Sequence, residues 1–415
     1  MPGSDLWRLR HLAGRVQEVY GSEGVEGVVR RTRLWMSRRR ALKGAEGLPD
    51  GPVAASASHW PVSVLSVAEH SIPQCYHYRV EQKAQIFEDL GVPFATVGLE
   101  DPLEAISRLQ LASVLIIYRL ADSAALRRLI EEARRLGIPI VFEFDDVVYR
   151  RELAASNPNL ASLPATLREA VIAGTDGYAA ALGAADVNLA STAVLADDMT
   201  SMNHRPALVV SNGIDDHMLE IARGLRRPDD PGGHPVALYG SGSRAHDHDF
   251  AVAAPGIAAW LRAHPDACLH LLGPVRMPEV LQPLAGQVIQ TRDALPYGQY
   301  LELLAASTVC LAPLVDAPFN SFKSHVKYLE AALVGTPLIA SPTVYADYVV
   351  DGVTALIADD SSWGEALSRL TEDPTLRRSL THAAREDVRR WELRREPTSQ
   401  MRALLDAVAP AWREQ

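Results

Sequence analysis

A chain of 415 residues, 47% of them apolar, divides into two or three domains at about 100–200 residues each, with cores that need no disulfide or metal staple. The net charge of −10 is uneven: ten Lys/Arg against six Asp/Glu in the first 50 residues leave −14 for the rest, an acidic body that argues against nucleic acid as a partner. Cys75, Cys268 and Cys310 show no CxxC spacing, which argues against a structural zinc site and for a reducing compartment; apolar runs such as "VLIIY" are too short to span a bilayer.

Residues 4–20 repeat Leu6, Leu9, Ala13, Val16 and Tyr20 at helical spacing. The basic segment "RRTRLWMSRRRALK" (30–43) is a solvated helix and linker, or an element that docks on a membrane surface or partner through Trp35 and Met36. "GLPDGPVAASAS" then marks a linker. With no signal-peptide layout at Met1, the expectation is a cytoplasmic protein, with peripheral contact at the inner membrane face through the basic segment as an option.

From residue 61 the texture alternates strand and helix. Strands are predicted at 61–70, "VPFATVG", 113–120, 138–144 and 183–192, with helices at 81–91 and 122–137, each closed by a glycine, Gly91 and Gly137. The pattern restarts at "PALVVSNGIDD" (206–216) and continues through strands at 235–243, 267–273, 286–291, 307–314 and 336–341. Such alternation implies parallel, doubly wound sheets. The predicted organisation is therefore α/β: a helical basic extension over 1–58, a Rossmann-like domain over 59–205, a second over 206–385, and C-terminal helices over 386–415 that cross back to the first domain. Trp391 is assigned to packing in that last region. A cleft between two such domains is where a ligand sits.

Two passages carry chemistry. In "KSHVKYLEAALVGTPLIAS", Lys323, Lys327 and Glu330 fall at i, i+4 and i+7, one face of a predicted helix, with Val326, Leu329, Ala332 and Leu333 opposite. Two cations at a helix N-terminus suit a bound anion, and a carboxylate one turn on suits paired hydroxyls, as on a ribose; an ordinary surface Lys–Glu cluster has the same spacing. In "LYGSGSRAHDHDF", a strand ends in Gly240 and Gly242, which permit close backbone approach, and Ser243 and Arg244 follow, the arginine able to fork onto a diphosphate. A methyltransferase cofactor loop has a similar outline.

Together these passages resemble the GT-B-fold glycosyltransferases, in particular the retaining, family-4-like group. "VVSNGIDDHML" resembles the "NG(I/V)D" strand of that group, "SGSRAHDHDF" the "SGTxTHDxDF" loop of a bacterial subgroup, and "LAPLVDAPFNSFKSHVKYLEAALVGTPLIAS" the donor-binding helix with its following strand. "YADYVVDGVTALIADDSSWGEAL", "CYHYRVEQKAQIFEDLG" and "PIVFEFDDVVY" add to the likeness, which covers roughly residues 60–395. The resemblance implies two Rossmann-like domains facing a cleft and a nucleoside-diphosphate sugar as donor substrate, with no cofactor and no metal. It implies donor contacts from Gly242 and Ser243, Glu330 on the ribose, Arg244 and Lys323 on the diphosphate, and Lys327 behind them. It implies retention of configuration, with the leaving phosphate taking the acceptor proton.

The chain departs from that family where a sugar-contacting glutamate is replaced by Phe322 and where a lysine beyond the loop arginine gives way to Asp247, His248 and Asp249. These departures motivate the alternative of a non-catalytic nucleotide-sugar-binding or scaffold protein. Asp145 and Asp146 end a strand, where alternating side chains need not converge on a metal. With His77 they are the candidate bases should the reaction invert. Arg79, in the loop after the first strand, is a candidate contact for acceptor or phosphate, while His70 and His77 also fit as hydrogen-bonded loop histidines. The acceptor, whether saccharide, lipid-linked or small molecule, has no readable code.

Overall fold

A computed structural model of the chain describes Val25, Val29 and residues 62–161, 163–225, 234–242, 246–293 and 295–414. The predicted helix at 4–20, the basic segment at 30–43, and Ser243 and Arg244 lie outside the described residues.

Two six-stranded, all-parallel sheets form the body. The first holds β1 (Val64–Ala68), β2 (Phe94–Val97), β3 (Val114–Tyr118), β4 (Ile140–Phe144), β5 (Val187–Ala190) and β6 (Ala207–Val209) in the order β2-β1-β3-β4-β5-β6. The second holds β7 (Val236–Gly240), β8 (Cys268–Leu272), β9 (Val288–Thr291), β10 (Val309–Ala312), β11 (Leu338–Ala340) and β12 (Leu356–Ile357) in the order β12-β11-β10-β7-β8-β9. Every residue of β1, β3, β4 and β10 is buried, because helices cover both faces of a parallel sheet and continuous apolar runs satisfy both. The chain reverses its strand order between β1 and β3 in one sheet and between β7 and β10 in the other. Ligands of such sheets bind in the crevice at those points.

Local chemistry sets the helix ends. Ser123 Oγ accepts the Leu126 N–H at 3.1 Å to start Ala124–Leu136, and Gly137 closes it at φ 70°, a left-handed conformation that glycine adopts without Cβ strain. The late helix Glu396–Val408 packs Met401, Leu404 and Leu405 against Val64, Ile86 and Phe87 of the first half. Trp391 is buried among His325, Tyr328 and Tyr348. Among the described residues no helix is long and apolar enough to cross a membrane.

Two expectations are corrected here. The strand after residue 206 does not open the second sheet: β6 pairs with β5, Asn188 against Ala207, and completes the first. An apolar triplet followed by an Asn-Gly turn fits either sheet equally, so the pattern could not tell them apart. Lys323 is not on the helix, which runs over Val326–Val334; it has extended backbone (φ −70°, ψ 155°) after the short turn Pro318–Phe322.

Candidate functional site

The loops at the carboxyl ends of the two sheets touch one another, and the functional side chains gather there. Lys327 donates to Gly240 O at the end of β7 and lies over the Tyr239 ring, 5.3 Å from its centroid. Its charge is thereby fixed at the β7–β10 switch point. Lys323 lies over Phe319 at 5.3 Å. Gly242 faces Gln74 of the first half so closely that a Cβ on it would meet the Gln74 amide at 2.9 Å. A larger residue would have to displace the Gln74 side chain.

Glu330 does not face outward as its helical spacing suggests. It is 6% exposed and its carboxylate is bridged by phenols. Oε1 accepts from Tyr78 at 2.9 Å and Tyr297 at 3.2 Å, and Oε2 from Tyr300 at 2.9 Å. Burial lifts the Glu330 carboxyl above the usual carboxylate range, opposed by Lys327 and the phenols. Burial and the Glu330 charge in turn push all three tyrosines up, so the phenols stay protonated donors. Tyr78 reaches across from the first half, on a wide π-turn, His77–Glu81, and joins the core of the second. A π-turn widens the helix and re-aims one side chain, here into the opposing domain.

Beside this lies a network that sequence reasoning missed. Asp249, fully buried in the first turn of Asp247–Ala263, accepts from Asn320 Nδ2 at 2.7 Å, Asn159 Nδ2 at 3.0 Å and the Val315 N–H at 3.1 Å. His246 Nδ1 lies 2.8 Å from Asp249 Oδ2. Burial opposes the Asp249 charge, but His246, Lys323 and these donors hold its carboxyl below the usual range. Asn159 belongs to the first half, and its Oδ1 also accepts the N–H groups of His248 and Asp249. The His-Asp-x-Asp spacing was visible in the sequence. Its partners, Asn159 and Asn320, lie 90 and 71 residues away from Asp249, beyond any local pattern.

The first-half candidates separate into different roles. Arg79 is 1% exposed and committed: Nε donates to Glu143 at 2.7 Å, and Nη1 to Val210 O and Asn212 Oδ1 at 2.7 and 2.8 Å. Lys83 donates to both oxygens of the same Glu143, at 2.8 and 2.7 Å. This buried triad corrects the expectation that Arg79 reaches a phosphate; desolvating a guanidinium demands a counter-charge, and Glu143 supplies it. Asp145 pairs with Arg119 at 2.6 Å, and although burial works against the charge, Arg119 keeps its carboxyl low. Asp146 Oδ1 accepts the Val147 N–H at 2.9 Å. The two carboxylates therefore serve different partners. His77 sits between Glu81 (Nδ1 to Oε2, 2.9 Å) and Asp215 (Nε2 to Oδ2, 3.0 Å); burial opposes its protonation, and these carboxylates outweigh it to raise its pKa. Among the described residues no three His, Cys, Asp or Glu side chains are placed to hold a metal ion.

Phe322, at the position of the replaced glutamate, is buried with Phe319 against the first-half core that contains Phe144 and Tyr149. Its carbonyl accepts from Thr192 Oγ1 at 3.3 Å. It is a wedge between domains rather than a substrate contact.

Residues 255–403 match a family model described as glycosyl transferase-like. No curated protein sequence matches the chain. Among solved structures, Anabaena HepE in complex with UDP superposes with a TM-score of 0.55 at 14% identity, covering 83% of this chain and 100% of that one. Sucrose-phosphate synthase from Thermosynechococcus elongatus gives 0.56 at 16%, covering 85% and 100%. A UDP-forming trehalose-phosphate synthase from Burkholderia xenovorans gives 0.54 at 14%, covering 84% and 99%. The chain has the GT-B fold, two Rossmann-like domains facing a cleft.

Proposed function

We propose that the protein is a glycosyltransferase that moves a sugar from a nucleoside-diphosphate donor to an acceptor, with the nucleotide seated on the second domain. The observation that carries this reading is the placement of Lys327 and Glu330 on one helix at the β7–β10 switch point, under the Gly240–Gly242 turn. A carboxylate that already accepts three hydroxyl donors is built to accept a ribose diol in their place. Lys327 and Lys323 supply positive charge where the departing diphosphate gains negative charge. The glycosyl transferase-like match over 255–403 covers this helix, and HepE, of the same fold, binds UDP and UDP-glucose.

Two features support retention without a metal. Asp145 is paired to Arg119, His77 lies between Glu81 and Asp215, and Asp146 accepts the Val147 N–H; with the candidate bases engaged in this way, the leaving phosphate takes the acceptor proton in this proposal. The lysines provide the charge that a divalent cation would supply. Titration with UDP, GDP, ADP, CDP and dTDP in EDTA tests the reading: one nucleotide binds the wild type, and binding by none overturns it.

The second reading is a nucleotide-sugar-binding scaffold without transfer. Phe322 in place of a sugar contact and Tyr78 bonded to Glu330 favour it. Donor hydrolysis by the purified protein, with the nucleotide found above, separates the two: release of free sugar supports the enzyme.

A further inference from the structure

Gly242 and His246 bracket the loop that follows β7, and beyond His246 the chain enters Asp247–Ala263. The His246 ring is held at one nitrogen only. Nδ1 faces Asp249, and among the described residues Nε2 has no hydrogen-bond partner; the side chain is 28% exposed. Asp249 is itself immobilised by Asn159, Asn320 and the Val315 N–H. An ionised acceptor at Nδ1 pins the tautomer with the proton on Nδ1, which leaves Nε2 as a lone pair in the neutral ring and an N–H in the cation. Asn320, which grips Asp249, stands three residues before Lys323 in the same turn. Lys327 donates to Gly240 O, and both Lys323 and Lys327 act on His246 through their charge.

The charged groups facing His246 are Asp249 from its own helix and Lys323 and Lys327 from the segment opposite. Asp247 turns away to the Arg276 N–H at 3.0 Å, and the first-half segment Pro158–Ala161 contributes the Asn159 amide. With no anion present, burial first and Lys323 next push the imidazole below its ordinary pKa, Asp249 opposes them, and Lys327 adds a smaller push in the same direction, so the ring is neutral near pH 7. A diphosphate placed among these groups reverses the balance, since its charge offsets both lysines and accepts from Nε2–H.

We propose that His246 is a catalytic residue of the donor site: it takes up a proton as the nucleotide binds and, as an imidazolium oriented by Asp249, donates Nε2–H to the diphosphate. The inference rests on the donor-site reading above and deepens it. In the transfer step the anomeric C–O bond to the diphosphate breaks and its electron pair goes to the phosphate oxygen. The acceptor oxygen bonds the anomeric carbon, and its proton ends on that phosphate. The His246 proton stays on Nε2 throughout, stabilising the charge that develops.

The test is calorimetry of UDP, or whichever of the five diphosphates binds, in two buffers of different ionisation enthalpy between pH 6.5 and 8.5. Wild type, His246→Gln and His246→Lys are compared. Uptake of about half a proton across two pH units corresponds to about a tenfold loss of affinity over that range. Titration of the nucleotide's own phosphate is common to all three and cancels in the comparison. The expected result is this loss in wild type, weaker and flat binding in His246→Gln, and retained but flat binding in His246→Lys, whose charge is fixed. Equal proton uptake in wild type and His246→Gln overturns the role of His246 alone. Failure of the wild type to bind any nucleotide overturns the donor site and this inference with it.

Discussion

Tyr78→Phe removes one hydroxyl and nothing else from the contact between the halves. In the free protein that hydroxyl donates to Glu330 Oε1 at 2.9 Å and lies 3.1 Å from the Tyr297 hydroxyl. A hydrogen bond to a charged group contributes about 1.5–3 kcal/mol. Tyr297 remains on the same oxygen and Tyr300 on the other, so the carboxylate is not orphaned and the lower end, about 1.5 kcal/mol, applies. Thermal unfolding of the free variant should fall by about 2–4 °C per kcal/mol. If the ribose replaces Tyr78 at Oε1, the bound protein never had this bond, and the same energy appears with opposite sign in binding. Tyr78→Phe then binds the nucleotide about tenfold more tightly, since 1.4 kcal/mol is a factor of ten. Differential scanning fluorimetry and calorimetric titration of the two proteins read the two halves of the cycle. A variant that loses stability and also binds more weakly would show that Tyr78 stays on Glu330 in the complex and that the exchange is wrong.

Two further perturbations probe the frame around the site. Glu143→Gln leaves Arg79 and Lys83 buried without a counter-charge and should cost about 3–5 kcal/mol in chemical denaturation; a cost below 1 kcal/mol would show that water reaches the triad. His77→Gln removes a group whose folded pKa is raised after Asp215 and Glu81 outweigh burial. The stability it contributes is fully present below the unfolded value of about 6.5 and is lost as pH rises through the folded pKa. The wild-type advantage in Tm should therefore be large at pH 5.5 and shrink in alkaline buffer; an advantage constant with pH contradicts the pairing.

Most strands and, β6 apart, their two-sheet grouping were legible because a parallel strand buried on both faces is a continuous apolar run, as in "VLIIY". Ser123 and Gly137 marked their helix in the sequence and do so in the structure. Glu330 and Lys327 were legible as a pair because i, i+3 spacing fixes their neighbourhood on a helix. What covers Glu330 was not, since Tyr78 lies 252 residues away in the chain and only the closure of the two halves brings it there. Lys323 was misplaced because Ser324 and His325 carry no helix-breaking signature, although the helix begins after them. Arg79 was misassigned for a similar reason: Glu143 sits within the apolar run of β4, and nothing local shows that this carboxylate points at the loop after β1. The short β12, two residues long, gives too little periodicity to stand out.

The central claim is that Glu330 holds the donor's ribose, and calorimetric titration of wild type and Glu330→Gln with UDP, GDP, ADP, CDP and dTDP in EDTA tests it most directly. The substitution keeps size but removes the charge and turns one accepting oxygen into a donor-only NH2, so the side chain no longer accepts from two ribose hydroxyls at once. One nucleotide is expected to bind the wild type, and the variant to lose at least tenfold in affinity for it, about 1.4 kcal/mol, with its unfolding temperature within a few degrees of wild type. Equal affinity in the two proteins, with both folded, would contradict the account.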